Sequence, residues 1–263
     1  MPEKLPVFDR PPVVEAMLGL RFEPVDELNM PYLGLYWESI RKQYPSTEIK
    51  APITEGIPGA PLVEIVSTPK IRCWFIDESS SRLIQVQQDR FYYNWRKMPD
   101  SQEYPHYSPD LREKFGSEWV RFSDFLARQE LPKPNVLSCE ITYINHIERG
   151  EGWNDYSDLP KVFSSLAPGN SRVLASPKGL SFSGIYDIPE ALGQIQIQFQ
   201  PAIRQTDNKE ILQLNLTARG RSAAPELNSQ LLWFDAAQSF MVEAFDEFTR
   251  GPMHATWGRK ERS

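Results

Sequence analysis

Apolar and polar residues alternate along several stretches of the chain, and this two-residue period predicts β-strands with one buried side. The first stretch, Val13–Phe22, carries apolar residues at every second position from Val14 onward. We therefore expect that side of the strand to face a core. Further strands are expected at residues 71–77, 82–94, 136–147, 179–188, 194–200 and 211–219.

Apolar residues at every third or fourth position predict amphipathic helices between these strands. Long helices are expected at residues 31–44, 108–129 and 228–249, and a short one at residues 159–166. Pro31 and Pro109 suit the first turn of their helices, and Ser108 is the expected N-cap of the second helix. Residues 51–61 are rich in proline and glycine, which predicts a loop.

A short proline-containing segment at residues 131–134 separates two halves, residues 1–131 and residues 132–263. Each half reads as a strand, a helix, two or three strands and a long helix, which suggests two pseudo-repeated halves. Strands joined by short turns predict mostly antiparallel pairing. We therefore expect an α+β fold, with an antiparallel sheet or sheets and long helices packed on one face. The sequence leaves open whether the halves form one integrated domain and share a sheet.

The composition excludes some classes of protein. The 263 residues are 40% hydrophobic and 24% charged, which is typical of a globular chain with a sizeable core. A formal net charge of −6 disfavours a broad nucleic-acid-binding surface. No apolar stretch approaches membrane-spanning length, and the N-terminus lacks the apolar region of a signal peptide. Cys73 and Cys139 are too few for a disulfide scaffold, so we expect a cytoplasmic protein.

The usual catalytic signatures are missing from the sequence. None of the histidines His106, His146 and His254 lies within four residues of another histidine or of a cysteine, which disfavours a zinc site. The chain has no phosphate-binding P-loop, no dinucleotide-binding glycine motif and no nucleophile elbow. The sequence therefore predicts no catalytic residue, metal or cofactor, and it leaves open whether the protein is an enzyme.

Glutamines occupy one side of a predicted strand. Residues 194–200 alternate glutamine with apolar residues, and residues 212–219 place polar side chains in the same alternation. If these strands and the strand at 136–147 are neighbours, one sheet face offers amide donors and acceptors to a peptide, a nucleobase or a sugar. The candidate binding residues on this face are Glu140, Thr142, His146, Gln196, Gln198, Gln213 and Asn215. The alternative is a solvated outer face of an amphipathic sheet.

A second candidate group lies in residues 85–97, where aromatic and basic residues are interleaved. Such a group can stack on single-stranded nucleic acid or form the centre of a protein interface. Its candidate binding residues are Arg90, Asn94 and Arg96. The alternative is that the alternating aromatic residues fill the core while Arg90 pairs with Asp89 or Glu103. These aromatic residues are Phe91, Tyr93 and Trp95.

Glu15 and Glu140 occupy matching places in the first strand of each half. A pair of carboxylates could perform acid–base catalysis. The alternative is that these acids bind basic partners or cap backbone groups.

Several segments together resemble a known family. They are residues 11–16 (PPVVEA), 83–91 (LIQVQQDRF), 94–96 (NWR), 104–107 (YPHY) and 139–145 (CEITYIN), with Trp257 after the last helix. Over nearly the whole chain they resemble a sporadically distributed family of uncharacterised bacterial proteins of similar length. No activity is established for that family, so the resemblance implies no catalytic residues. The sporadic distribution implies an accessory role in a mobile or defence-type gene cluster.

Three functional hypotheses follow. The leading one is a non-enzymatic binding protein that holds a partner, expected to be a protein, through the polar sheet face and the strand end from Arg90 to Arg96; a homodimer is compatible with it. The alternative is a small-molecule-binding protein or hydrolase, with a pocket between sheet and helices lined by Glu140, Thr142, His146 and the glutamines. The third is single-stranded nucleic-acid binding through Arg90, Arg96 and Lys97, which the acidic net charge disfavours.

Overall fold

The computed structural model describes residues 5–53, 71–99, 104–164, 166, 173 and 177–261. These residues form five helices and a set of antiparallel strands, so the predicted α+β class is confirmed. The helices are α1 (Met30–Ile40), α2 (Arg112–Arg128), α3 (Leu159–Val162), α4 (Leu227–Phe248) and α5 (Gly251–Trp257). The strands are β1 (Pro6–Phe8), β2 (Val13–Phe22), β3 (Ser46–Lys50), β4 (Arg72–Ile76), β5 (Arg82–Gln87), β6 (Arg90–Arg96), β7 (Val136–Glu148), β8 (Phe182–Ile188), β9 (Gly193–Arg204), β10 (Lys209–Gly220) and β11 (Arg259–Glu261).

Nine of the described strands form one antiparallel sheet in the order β3-β4-β5-β6-β2-β7-β10-β9-β8. Strands β2 and β7 pair at its centre, where Leu18 lies opposite Ile141. Strands from both predicted halves therefore belong to a single sheet, a point that the sequence does not decide. Strands β1 and β11 pair separately and bring the two ends of the described chain together.

One side of the central strands is apolar and buried, as the alternation predicts. In β2 every second residue from Ala16 to Phe22 has no exposed surface. Helix residues pack against this apolar side: the rings of Phe122 in α2 and Phe91 in β6 stack at 5.1 Å, and Tyr36 in α1 meets Phe75 in β4 at 5.4 Å. Burying one large apolar side chain contributes about 1.5–3 kcal/mol to the free energy of unfolding, so these contacts join the helices to the sheet.

The opposite side of the sheet carries most of the polar strand residues. Strands β2 and β6 place Gly19 directly opposite Tyr92 on this side, and the tyrosine ring lies against the glycine backbone. A Cβ atom at residue 19 would lie 1.9 Å from Tyr92 Cδ1, so this contact requires a residue without a side chain.

The start of α2 differs from the prediction. The helix begins at Arg112, and residues 107–111 form a wider π-type turn before it. Ser108 is extended (φ −115°, ψ 135°), which is the usual backbone conformation of an N-cap residue, but its side chain makes no capping hydrogen bond to the described residues. Helical angles are disfavoured for a residue that precedes proline, which explains the extended backbone. The Ser108–Pro109 peptide bond is cis.

Other helices and strands also differ from the prediction: some are shorter, and some were not predicted at all. The predicted strand at 82–94 is two strands, β5 and β6, joined by a tight turn. The predicted short helix at 159–166 ends at Val162. Strand β3 is almost wholly exposed, so it has no hydrophobic period that would reveal it. The predicted loop at 51–61 lies outside the described residues from residue 54 onward.

Both cysteines, Cys73 and Cys139, are buried and unpaired. Burial raises the pKa of both thiols, that of Cys139 to about 12, so neither is a reactive thiolate at neutral pH. In the part of the chain that the structure describes, no helix is long and apolar enough to cross a membrane. No group of three or more His, Cys, Asp or Glu side chains among these residues is placed to hold a metal ion.

Candidate functional site

A cavity of about 510 Å³ lies between the apolar side of the sheet and α4. Its walls come from the N-terminal residues 5–13, from residues 104–109 before α2, from β7 and β10, and from α4. A volume of this size is typical of a site that encloses a small organic molecule.

The N-terminal strand β1 forms one wall of the cavity. Pairing with β11 holds this strand, and the Phe8 ring meets the rings of Phe245 and Trp257 at 5.2 and 6.4 Å. The buried side chains of Leu216 in β10 and Met241 in α4 add further apolar surface. The walls are therefore mainly apolar, which favours a ligand with an apolar body.

Residues 104–109 form another wall. The Tyr104 ring packs edge to face on Trp95 at 5.4 Å and on Tyr143 at 6.1 Å. His106 follows with a left-handed backbone (φ 57°), and its ring lies 5.5 Å from that of Tyr104. These aromatic contacts connect the segment to β6 and β7.

Tyr107 connects the same segment to α4. Its hydroxyl donates to Asp235 Oδ1 at 2.7 Å, and Arg112 donates to both oxygens of that carboxylate at 2.6 and 2.9 Å. Burial and the neighbouring Asp235 raise the pKa of Tyr107, so it remains a neutral donor. This bidentate ion pair fixes the segment against α2 and α4.

Uncharged hydrogen-bonding groups converge at the β7 side of the cavity. The Tyr104 hydroxyl donates to the Tyr143 hydroxyl at 3.1 Å, and the side chain of Gln238 in α4 also interacts with the Tyr143 oxygen. Burial raises the pKa of Tyr143 to about 12 and that of Tyr104 well above its usual value. Both phenols are therefore neutral near pH 7 and can donate or accept hydrogen bonds.

Asn145 lines the cavity two residues beyond Tyr143, on the same side of β7. Its side chain is 1% exposed, and Nδ2 donates to the carbonyl of Leu214 at 3.1 Å. That is the one hydrogen bond this side chain makes to the described residues, so Oδ1 is left as an acceptor at the cavity wall.

The cavity lining is uncharged. Within the described residues it includes no Asp, Glu, Lys or Arg side chain, and His106 is the one imidazole among them. The arrangement can pack an apolar body and offer a few hydrogen bonds, but it offers no permanent charge to an ionised ligand.

No protein-family model matches the chain, and no curated protein matches it. Among solved structures, the crystal structure of DynU16, a protein in the dynemicin biosynthetic locus, aligns with 89% of this chain and 96% of its own. The identity is 14% and the TM-score is 0.27. A likeness at that level carries no argument about fold or function.

Seven of the ten predicted binding residues lie together, on the polar side of three adjacent strands. We call this surface the amide face; it comprises Glu140, Thr142, His146, Gln196, Gln198, Gln213 and Asn215. The registers place Gln213 opposite His146, and Asn215 opposite Gln198. None of the seven lines the cavity, so the pocket lining expected under the small-molecule hypothesis is wrong, although the cavity does lie between sheet and helices. These side chains point to the opposite side of the strands from Tyr143 and Asn145.

The amide face is partly hydrogen-bonded within itself. Thr142 and Thr217 hydroxyls meet at 3.0 Å, Gln213 Nε2 donates to Asn215 Oδ1 at 3.2 Å, and Gln198 Nε2 donates to Ser183 Oγ at 3.2 Å. Gln198 is exposed, whereas Thr142 is buried. The face therefore still offers free amide groups to a partner, mainly along β9.

Two charged or titratable residues border the amides. Glu140 pairs with Arg219 on β10, which largely neutralises both charges. Burial and the nearby Arg204 lower the pKa of His146, so its imidazole is neutral at physiological pH. Neither residue supplies a net charge to a partner.

The other predicted group consists of Arg90, Asn94 and Arg96 on β6. Its side chains are more buried than a binding surface requires. Arg90 is 5% exposed and Asn94 is 1% exposed. The alternating aromatic residues Phe91, Tyr93 and Trp95 are all in the core. Arg90 Nε lies 3.7 Å from Asp89, while Glu103 lies outside the described residues. Because Arg90 is buried, it does not form one exposed basic surface with Arg96 and Lys97.

Asn94 belongs to a polar network that we call the Glu15 network: Glu15, Asn94, Gln85, Trp74 and Arg72. Asn94 Nδ2 donates to Glu15 Oε1 at 2.5 Å and Asn94 Oδ1 accepts from Gln85 Nε2 at 2.9 Å. Gln85 Oε1 in turn accepts from Trp74 at 2.8 Å and from Arg72 at 3.1 Å. Burial raises the pKa of Glu15, an effect that the Asn94 hydrogen bond and the charges of Arg96 and Arg72 oppose.

The structure does not bring Glu15 and Glu140 together. Glu15 lies opposite Ile144, and Glu140 lies opposite Gly19, so the two acids are four residues apart along β7. Each has its own partner, Asn94 for Glu15 and Arg219 for Glu140.

Sequence reasoning missed the polar residues of the cavity. One signal was present: Asn145 falls on the apolar side of β7, in the same alternation as Ile141 and Tyr143. A lone amide at an inward strand position needs a partner, so it marks either a structural hydrogen bond or a site. Tyr104 and Gln238 gave no such signal, because only the fold brings them to β7.

Proposed function

We propose that this protein binds a small organic molecule in the cavity between the sheet and α4. The observation that carries the proposal is a half-open cavity of about 510 Å³ with mainly apolar walls, lined also by a few uncharged polar groups. Those groups are Tyr104, Tyr143, Asn145 and Gln238. An apolar pocket with a small number of placed polar groups is the usual form of a small-molecule site.

The lining favours binding over hydrolysis. Hydrolysis needs a nucleophile or an activated water, together with a base oriented by hydrogen bonds. Among the described lining residues, His106 is the imidazole and Ser108 the aliphatic hydroxyl, and they share no hydrogen bond. No lining carboxylate among these residues orients His106.

Uptake of N-phenyl-1-naphthylamine, an uncharged dye whose fluorescence rises in apolar surroundings, tests the proposal. Val242 lines the cavity from α4, so Val242→Trp fills part of the space. We expect the wild-type protein to bind the dye and the variant to bind it about tenfold more weakly, since the ligand loses volume and contacts. Dye titrations monitored by fluorescence give both dissociation constants.

The matched control is Leu232→Trp, which adds the same ring at an exposed position of the same helix. It should bind the dye as the wild-type protein does. Equal dye affinity in a folded Val242→Trp variant, or no dye uptake by the wild-type protein, refutes a cavity function.

The amide face supports a second candidate function, the binding of a protein partner. The supporting observation is that β7, β10 and β9 are neighbours and leave amides such as Gln198 exposed. We expect Gln196→Glu with Gln198→Glu to remove a partner captured from the natural host while the melting temperature changes little. Unchanged capture by this double variant contradicts the role, and size-exclusion chromatography shows whether the partner is a second copy.

We also infer that the two halves are pseudo-repeats with all the long helices on one face of the sheet. The strand order supports this: outward from the centre, the first half runs β2, β6, β5, β4, β3 and the second runs β7, β10, β9, β8. In both halves the first strand of this sheet lies at the centre, and the last strand before the long helix lies beside it. An experimentally determined structure whose halves do not superpose would refute the repeat.

A cytoplasmic location is inferred as well. The unpaired thiols of Cys73 and Cys139 support it, because oxidising compartments favour disulfides. Fractionation of the natural host checks this inference.

A further inference from the structure

The Tyr143 hydroxyl has an unused donor. Its oxygen accepts from Tyr104 at 3.1 Å and from the Gln238 side chain, and no hydrogen bond that it donates occurs among the described residues. A buried phenol ordinarily donates its proton to an acceptor. The proton of Tyr143 is therefore available to an acceptor atom inside the cavity.

Asn145 supplies the complementary group. Its Nδ2 is committed to the Leu214 carbonyl, and its Oδ1 remains an acceptor. Tyr143 and Asn145 are two residues apart on one side of β7, and both line the cavity. A hydroxyl group is the simplest group that both accepts and donates, as this pair requires.

The rest of the lining restricts the charge of the ligand. An ionised group that leaves water needs a counter-charge or several hydrogen bonds. The described lining offers no carboxylate, ammonium or guanidinium group, since Asp235 and Arg112 pair with each other outside it. The cavity therefore disfavours anions and cations alike.

We propose that the cavity takes an uncharged, mainly apolar molecule that carries a hydroxyl group, with the hydroxyl placed between Tyr143 and Asn145. This inference rests on the proposed small-molecule function. The ligand hydroxyl accepts from the Tyr143 hydroxyl and donates to Asn145 Oδ1, while its apolar body lies against the side chains around Phe8, Met241 and Phe245.

Three matched competitors test the inference by displacing N-phenyl-1-naphthylamine from the wild-type protein: 4-phenylphenol, biphenyl and biphenyl-4-carboxylate. They share one apolar body and differ in the group at one end. We expect 4-phenylphenol to displace the dye at a concentration about fivefold lower than biphenyl, because one to two hydrogen bonds are gained. The carboxylate should need about tenfold more than biphenyl, because its charge is left without a partner.

Tyr143→Phe tests the assigned donor. It keeps the ring and removes the hydroxyl, so the advantage of 4-phenylphenol over biphenyl should fall to about twofold or less. The control is Tyr92→Phe, which removes a buried hydroxyl on the opposite side of the sheet and should keep the wild-type advantage. The competitor series on the wild-type protein decides the ligand class even if Tyr143→Phe does not fold.

The outcomes separate this inference from the function on which it rests. If the dye binds and Val242→Trp blocks it, but the carboxylate competes as well as the phenol, the function stands and the ligand class is overturned. A phenol no better than biphenyl overturns the hydroxyl assignment. If the wild-type protein does not take up the dye, the function and the ligand class both fail.

Discussion

The polar side of the sheet differs between its two halves. On β6, Arg90 and Asn94 are almost completely buried, and Asn94 belongs to the Glu15 network. On β9, Gln194 and Gln198 alternate with apolar residues in the same way, yet both are exposed. The two strands carry polar residues on the same sheet face and nevertheless give them opposite environments.

The difference follows from the neighbours on that face. Around Asn94, the neighbouring strands contribute the larger side chains of Met17 on β2 and Leu83 on β5, which lie directly opposite it. Around Gln198, the neighbouring positions carry Ser183 and Asn215, which are too small to cover it. Alternation thus identifies the polar side of a strand, while the sizes of cross-strand neighbours decide how exposed it is.

The largest expected effect comes from replacing Asn94. Asn94→Leu keeps the approximate size of the side chain but leaves Glu15 Oε1 and Gln85 Nε2 without their partner. We expect the free energy of unfolding to fall by about 2–4 kcal/mol, since buried polar groups without hydrogen bonds are costly. Urea denaturation followed by circular dichroism measures this change.

Gln198→Leu is the matched control, because it makes the same change at an exposed position of the same face. Its effect on the free energy of unfolding should be within about 0.5 kcal/mol. If Asn94→Leu and Gln198→Leu lower the free energy of unfolding by similar amounts, the polar side of the sheet is not more buried around Asn94 than around Gln198.

Glu15 is expected to make the free energy of unfolding depend on pH, by a smaller amount than the Asn94 substitution changes it. Burial raises the pKa of this carboxyl above its usual value of 4.5, so the folded protein holds the proton more tightly than the unfolded chain does. The stability gained in this way is present below that value and is lost as the pH rises through the folded pKa. Relative to Glu15→Gln, the wild-type protein should therefore become less stable as the pH rises from about 4 to 7.

Denaturation of both proteins across that pH range measures the difference. Glu118 is also buried with a raised pKa, but it is present in both proteins and cancels in the comparison. A wild-type protein that gains stability relative to Glu15→Gln as the pH rises would mean that Arg72 and Arg96 outweigh the burial of Glu15.

Much of the fold could be predicted from local patterns. Strong signals come from the apolar residues at every second position of β2, β7 and β9 and at every third or fourth position of α4. Such patterns are expected when one side of a strand or helix is buried. The edge strand β3 and the short strands β1 and β11 were missed, because exposed or short strands carry no such period. The sequence does not determine that β7, β10 and β9 are neighbours, and the structure shows that β10 pairs with both of the other strands.

The cavity could not be predicted in the same way. Its polar groups come from the segment before α2, from β7 and from α4, and no local pattern connects Tyr104 with Gln238 across more than half the chain. A cavity depends on where packing is incomplete, which is a property of side chains from distant elements together.

The sequence by itself determined where apolar and polar residues alternate, and therefore which side of each strand is apolar. Together with the helical periods, this alternation also determined that the fold class is α+β. The tertiary structure alone decided that one sheet spans both halves, that Asn94 is enclosed while Gln198 is exposed, and that an uncharged cavity opens beside Tyr143 and Asn145. The physical reason is that the two-residue alternation follows from the backbone geometry of a single strand. The burial of a polar side chain and the presence of a cavity depend instead on the volumes of side chains that meet only after folding.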